Sequence, residues 1–387
     1  MSTGPPALKR LIATIDGHPG LTALTPDRSI RFAVGSYTES YGDFRALGNG
    51  ISEIGLSGEG VLQHVGSATL LNPSYLRYSA VNRRVYTTIE AADCRAALVS
   101  LELSQSGTRL RVSARIPVEG QLPCHLDLHQ SGRWIACACY DSGNVLVKGI
   151  SDSGDFDPAS GSEILRSGSG PHPVRQTRSH PHAALFSPDG RWLLVPDLGT
   201  DELAVYPFNN QTGACGMPFT WPAPSGSGPR TLAFSNCGQF VVLVSELSSE
   251  VSTLKWQNGA IMHRASLSSR YPEMASEKID NTASGLRMHP NGVHFAVTNR
   301  GDDSISIFRM DPRDGSLAWC LTIPSGGAKP RDCGFSPCGR WLISANQDSD
   351  NCILFEVGFR PLPVVRQIAG IAVRSPSNIC LLTDHHE

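Results

Sequence analysis

The sequence is poor in charge and has no long hydrophobic run, no CxxC pair and no nucleotide-binding loop. Charged residues make up 18 % of 387 positions and hydrophobic ones 40 %. That balance supplies a sizeable core and excludes a disordered or coiled-coil chain. The formal charge is −2, from 33 Lys and Arg against 35 Asp and Glu, so there is no broad polybasic surface and nucleic acid is not an expected partner. No stretch reaches the roughly 18 apolar residues of a membrane span, and the apolar stretch Leu11 to Ile15 near the N-terminus is too short for a secretory core; no membrane partner is expected. Sequences of the types GxxxxGK[ST], GxGxxG after a strand and G-x-S-x-G are missing as well, which excludes a phosphate loop, a dinucleotide fold and a nucleophile elbow. No cofactor is expected.

Cysteine is present but does not form a framework. The eleven cysteines are an odd number in a long chain. Cys137, Cys139 and Cys352 fall inside apolar strand patterns, where a thiol behaves as a small hydrophobe. Cys137 and Cys139 share one strand face, a poor disulfide and a weak metal pair. Reduced thiols and a cytoplasmic location are the expectation.

What the chain does have is turn residues. Its 38 Gly and 27 Pro occur without any collagen-like or low-complexity run, which points to many turns and many short strands. A unit recurs: an apolar strand, a tight turn resembling S-P-D-G-R, a second apolar strand, a polar loop and a third strand. Six copies are in register, among them LPCHLDLHQSGRWIACACY, HPHAALFSPDGRWLLVPDL and KPRDCGFSPCGRWLISANQ. The turn position that calls for positive φ falls on Asn82, Gly132, Gly190, Gly238, Gly292 and Gly339, spaced by 50, 58, 48, 54 and 47 residues. Repeats of this length with several antiparallel strands predict an all-β, seven-bladed β-propeller. The seventh blade is assembled from IRFAVGSYT and GISEIGLS at one end of the chain and IAVRSPSNICLL at the other, closing the ring with strands from both termini. The propeller is expected over residues 29–380, with an N-terminal extension at 1–28 and a polar tail at 381–387.

In each blade the two strands flanking the turn form a hairpin, so positions equally distant from the turn lie at the same open end. Eight residues after it stand Glu90, Tyr140, Leu198, Glu246, Arg300 and Gln347; eight before it stand Ser74, Cys124, His182, Arg230, Ser284 and Arg331, with His125 one further on. A propeller brings these strand ends together around one mouth of its channel. Charged groups are seldom gathered there without a partner or a function. The reading is either an anionic small-molecule site or an Arg–Glu network cross-linking blades.

The same residues resemble the seven-bladed propeller lactonases, the 6-phosphogluconolactonase type that includes the fungal carboxy-cis,cis-muconate cyclase. The resemblance runs from Val34-Gly35-Ser36-Tyr37-Thr38 to about Pro376. It rests on Asn72-Pro73-Ser74-Tyr75-Leu76, Pro123-Cys124-His125, the run GPHPVRQ before His180-Pro181-His182, VPDLG, Gly228-Pro229-Arg230, Ser245-Glu246-Leu247, Thr298-Asn299-Arg300-Gly301, Pro330-Arg331-Asp332 and Ala345-Asn346-Gln347. In muconate-cyclase members it implies an active site of His182, Arg230, Glu246 and Arg300, working without a metal. Two departures stand out: Thr231 where members commonly carry His, and Gly285 where they carry Glu, with Arg287 added nearby.

Lactone hydrolysis needs an activated water and a stabilised oxyanion. His182 is the natural general base. Arg230 and Arg300 can hold a carboxylate, a phosphate or the oxyanion, and Glu246 can orient His182 or act as the base. The same groups run in reverse would close an unsaturated carboxylate. His180, His125, Glu90, Arg331, Gln347 and Tyr140 are expected to shape the substrate pocket. A metal set of His180, His182 and Glu246 rests on H-x-H alone, a weak signal. The expected partner is a small anionic lactone or unsaturated carboxylate. A non-catalytic propeller binding a ligand or protein is the competing class, although no blade carries the Gly-His…Trp-Asp signature of platform propellers. No motif speaks to the oligomeric state.

Overall fold

The computed structural model of the chain describes residues 30–40, 44–103, 109–271, 280–360 and 362–382. The expected extension at 1–28 lies outside the described residues, as do residues 383–387 of the expected tail. Seven antiparallel sheets follow one another around a ring, and no α-helix occurs among the described residues. Blades 1 to 6 occupy residues 76–117, 123–165, 185–222, 229–268, 282–324 and 330–372 in turn. Blade 7 takes its innermost strand, Pro376–Leu381, from the end of the chain and its other three, Ile30–Ser36, Gly50–Leu56 and Leu62–Thr69, from the beginning. Phe32 pairs with Leu381 and Gly35 with Asn378. The propeller and its closure are as the repeat predicted. Ile371 and Ala372, however, complete the outermost strand of blade 6 (Val364–Ala372) rather than joining blade 7, and the last strand runs through Leu381.

Burial across a blade explains the composition of each strand. A second strand such as Trp134–Cys139, WIACAC, is buried at every position, because neighbouring blades cover both faces of it and water reaches neither. An outermost strand such as Leu62–Thr69 is half exposed, and its polar residues alternate with apolar ones. Apolar clusters form between successive blades, as where Trp134, Ala136 and Val145 of blade 2 meet Phe186, Leu193 and Phe208 of blade 3.

The turns confirm five glycines and correct one residue. Gly132, Gly190, Gly238, Gly292 and Gly339 have φ between 66° and 72°, but in blade 1 the positive φ, 53°, falls on Arg83 and not on Asn82. Ser79 pairs directly with Arg84 there, enclosing four residues as the bonded pairs of the other blades do, but the chain turns one position later. Asn82 instead spends its amide on blade 2, donating to the Gly132 carbonyl at 2.9 Å, and on Tyr86 Oη at 3.2 Å.

Two features of the inner strands position the site. Four of them change register near their start, between Pro123 and His125, Pro229 and Thr231, Ala283 and Leu286, and Pro330 and Asp332. Proline suits a first strand position because it has no N–H to donate, and the bulge behind it re-aims the next side chain. The bulged residues include Cys124, Arg230 and Arg331. Side chains also latch one inner strand to the next: Asp127 accepts from the Phe186 N–H at 2.9 Å, Asp332 from the Ile379 N–H at 3.0 Å, and Asn378 Oδ1 from the Leu76 N–H at 2.9 Å.

Asn378 joins three blades, because its amide also donates to Asp332 at 2.7 Å. Asn378→Ala leaves a buried N–H and a buried carboxylate each short of a partner. A loss of about 2–4 kcal/mol is expected from two such orphaned groups, read as a lower urea midpoint; an unchanged midpoint would show that the blades close without this latch.

Candidate active site

The mouth of the channel is built around one carboxylate. Glu246 follows the second strand of blade 4 (Phe240–Ser245) and is 1 % exposed. Arg230 Nη1 and Arg300 Nη2 pair with its Oε2, the latter at 3.0 Å, and Arg175 Nη2 donates to Oε1 at 2.7 Å. Burial pushes the Glu246 pKa up, but Arg300, Arg230 and Arg175 overrule it and hold the carboxyl well below the usual range. Glu246 is therefore an ionised anchor and a weak proton acceptor.

His182 stands beside this pair, its Nε2 3.8 Å from Glu246 Oε2 and 2.6 Å from Arg230 Nη1. A guanidinium can only donate, so Nε2 accepts and the ring proton sits on Nδ1, 3.8 Å from Cys124 Sγ. Burial first, and Arg230 next, drive the imidazole pKa well below its usual value. The histidine is neutral, as a base must be, but its lone pair is occupied by Arg230. His182 is held in place by its own segment: its N–H donates to the Pro196 carbonyl at 3.0 Å, and Leu198 returns a bond to His180 at 2.9 Å. Beneath them fully buried Asp197 accepts from the His180 N–H at 2.8 Å, Ser179 Oγ at 2.5 Å and Arg166 Nε at 2.6 Å.

Arg300 ends the second strand of blade 5 (His294–Arg300). Among the described residues its buried Nε and Nη2 have no hydrogen-bond acceptor, Nη2 meeting Glu246 as an ion pair and not an aligned bond. Burial pushes its pKa down to about 9, Glu246 resists, and Arg230, Arg331 and Arg175 add to the fall. A guanidinium so crowded by like charge gains from any anion brought to it.

Two walls flank the cluster. On one, the Tyr140 and His180 rings stack at 4.4 Å, and His180 Nδ1 lies 2.8 Å from the Tyr140 carbonyl. On the other, Arg331 lies over the Tyr37 ring, 5.0 Å from its centroid, and Tyr37 Oη donates to Glu90 at 3.0 Å. Two further predicted pocket residues have other partners. His125, on the inner strand of blade 2 (Pro123–Leu128), packs its ring 4.2 Å from Tyr75 and lines one cavity with His182 and Arg230. Gln347 is buried at the start of a short 3-10 turn, where its amide donates to Asp348 at 3.2 Å. Among the described residues no group of three or more His, Cys, Asp and Glu is arranged to hold a metal ion. His180 is committed to the Tyr140 carbonyl.

A family model described as lactonase, 7-bladed β-propeller, matches residues 31–379. The chain belongs to that family. It is 29 % identical over 291 residues to a 6-phosphogluconolactonase of Bacillus subtilis, covering 75 % of this chain and 81 % of that one. It is 26 % identical over 330 residues to a 6-phosphogluconolactonase of Formosa agariphila, covering 82 % and 90 %. Among solved structures, the periplasmic gluconolactonase of Pseudomonas aeruginosa superposes with a TM-score of 0.83 at 28 % identity, covering 92 % of this chain and all of that one. No helix among the described residues of this lactonase-family chain is long and apolar enough to cross a membrane.

Counting from the blade turns missed Arg175, because it comes from the connection between blades 2 and 3 and not from a strand end. It also donates to Tyr140 Oη at 3.2 Å. Its neighbour Gln176 is fully buried and pins the connection, donating to the Leu198 carbonyl at 2.8 Å and to Asp201 at 2.7 Å. The signal was the run GPHPVRQ, which carries both residues. Tyr37 was likewise present in GSYT but carried no charge to mark it.

The buried neutral histidines set an acid dependence. His125 and His182 are both well below the usual value when folded, burial being the larger cause in each, and His129 and His289 are lowered in the same way. As pH falls below about 6.5 the unfolded chain takes up protons that the folded chain refuses, so stability decreases by about 1.4 kcal/mol per pH unit for each such histidine. Urea midpoints at pH 7 and pH 5.5 check the sign; a flat profile would mean that these imidazoles are charged in the folded chain.

Proposed function

We propose that this lactonase-family chain hydrolyses the ring ester of a small anionic lactone at the mouth formed by His182, Arg230, Glu246 and Arg300. The observation that carries the reading is Arg300, whose buried Nε and Nη2 lack acceptors beside a neutral histidine. Four guanidiniums, those of Arg175, Arg230, Arg300 and Arg331, outnumber the carboxylates of Glu246 and Glu90 around the opening, which favours a substrate bearing a carboxylate or phosphate. The names of the Bacillus and Formosa relatives support a phosphorylated sugar lactone, and that of the Pseudomonas neighbour an unphosphorylated one. No metal takes part in this scheme, and eleven free thiols support a reducing, cytoplasmic compartment.

Arg300 N–H groups receive the lactone carbonyl oxygen, where negative charge develops. The substrate's anionic group draws the Arg230 donor away from His182 Nε2. The freed lone pair takes a proton from a water as its oxygen attacks the carbonyl carbon. The tetrahedral intermediate collapses with cleavage of the ring C–O bond, and the imidazolium returns the proton to the departing alkoxide. Glu246 stays ionised throughout and holds the three arginines in place.

A panel of five- and six-membered lactones, with and without phosphate, and of muconates, assayed with a chelator present, tests the reading. Anionic lactones are expected to be preferred, and His182→Asn or Arg300→Ala to lower kcat/KM by about 10²–10³. No turnover by the wild type, or turnover unchanged in both variants, would leave the cluster as a blade-linking ion network. The pH profile provides a second check. The acid limb of kcat/KM should lie below pH 6.5, and residual activity in Arg230→Gln should show it moved upward, because Arg230 lowers the His182 pKa.

A further inference from the structure

Beside the catalytic cluster, and sharing two of its residues, the channel holds a cavity of about 40 Å³, lined by residues that include His125, His182, Arg230, Arg287, Asp332 and Ser377. Two polar atoms on this lining are buried and unpartnered among the described residues: His125 Nε2 and Ser377 Oγ, on side chains each 3 % exposed. The tautomer of His125 follows from its other nitrogen. The Ala184 N–H points to Nδ1 at 3.3 Å, so Nδ1 carries the lone pair and Nε2 carries the proton. Nε2 is therefore a donor facing the cavity, and the Ser377 hydroxyl is a second. Leaving both unmet in a buried place is costly.

The charge around the cavity is predominantly positive. Arg230, Arg287 and Arg331 line it against the single carboxylate of Asp332. Asp332 Oδ2 is already engaged by Arg287 at 2.7 Å, by the Asn378 amide at 2.7 Å and by the Ile379 N–H at 3.0 Å. Donors converge on the space while its one anion is already paired, and the field of the guanidiniums is focused by low-dielectric walls. The volume is enough for one small ion or a few waters, since one water needs about 10–15 Å³ on this measure.

We propose that the channel floor binds a monovalent inorganic anion of chloride size, held by the His125 Nε2 and Ser377 Oγ donors in the positive field of Arg230, Arg287 and Arg331. The ion relieves repulsion among these arginines and gives the two orphaned donors an acceptor. This site shares Arg230 and His182 with the proposed reaction site, but its two ligands, His125 and Ser377, take no part in the reaction proposed there. His125 thereby takes the role of an ion ligand and not of a substrate contact.

Bromide is the probe. In wild-type crystals grown or soaked in bromide, an anomalous difference peak is expected within hydrogen-bond distance of both His125 Nε2 and Ser377 Oγ. In solution, bromide should raise the thermal midpoint saturably, by about 2–4 °C, relative to methanesulfonate at equal ionic strength. Ser377→Ala, a small change that preserves the inner strand, should weaken or abolish the saturable rise, and His125→Phe should abolish it. Density without anomalous signal in the cavity, showing water there, would overturn the proposal. So would bromide only on the surface, or the same salt response in wild type and Ser377→Ala.

Discussion

Glu246 is almost fully buried and faces the guanidiniums of Arg175, Arg230 and Arg300, and an ionised carboxylate can stay in such a place only while those cations stay with it. The rest of the mouth depends on this constraint. The three arginines come from an inter-blade connection, an inner strand of blade 4 and a second strand of blade 5, so the carboxylate ties together segments that are remote in the chain. In the same arrangement His182 is kept neutral with its lone pair held by Arg230, while Arg300 is left with donors to spare.

The blades supply the geometry by local means. Proline at the head of an inner strand followed by a bulge turns Arg230 and Arg331 inward, and inter-strand latches from Asp127, Asp332 and Asn378 fix neighbouring blades in register. These latches use N–H groups on the channel-facing edge of each inner strand, which has no further strand to pair with and would otherwise be a buried row of unmet donors. The polar lining of the channel is thus a structural requirement of the ring before it is a functional one.

Much of this was legible in the chain. The period of the S-P-D-G-R-like turns, the alternation of the strands and the strand-like segments at both termini led to a closed seven-bladed ring, and counting outward from the turns brought His182, Arg230, Glu246 and Arg300 to one rim. Counting failed where a residue does not belong to the repeat. Arg175 sits on a connection whose path depends on the buried Gln176, and the positive φ of the blade 1 turn falls on Arg83.

By itself, then, the sequence determined the repeat, the ring and the identities of the polar residues at the strand ends, because these follow from local turn chemistry and from strand periodicity, which act over a few residues. Only the tertiary structure decided what those residues do to one another. Whether Glu246 is a base or an anchor, whether His182 has a free lone pair, and whether Arg300 keeps unpaired donors all depend on distances of 2.6 to 3.8 Å between blades and on burial that no local pattern encodes. Electrostatics in a desolvated channel is a property of the assembled ring.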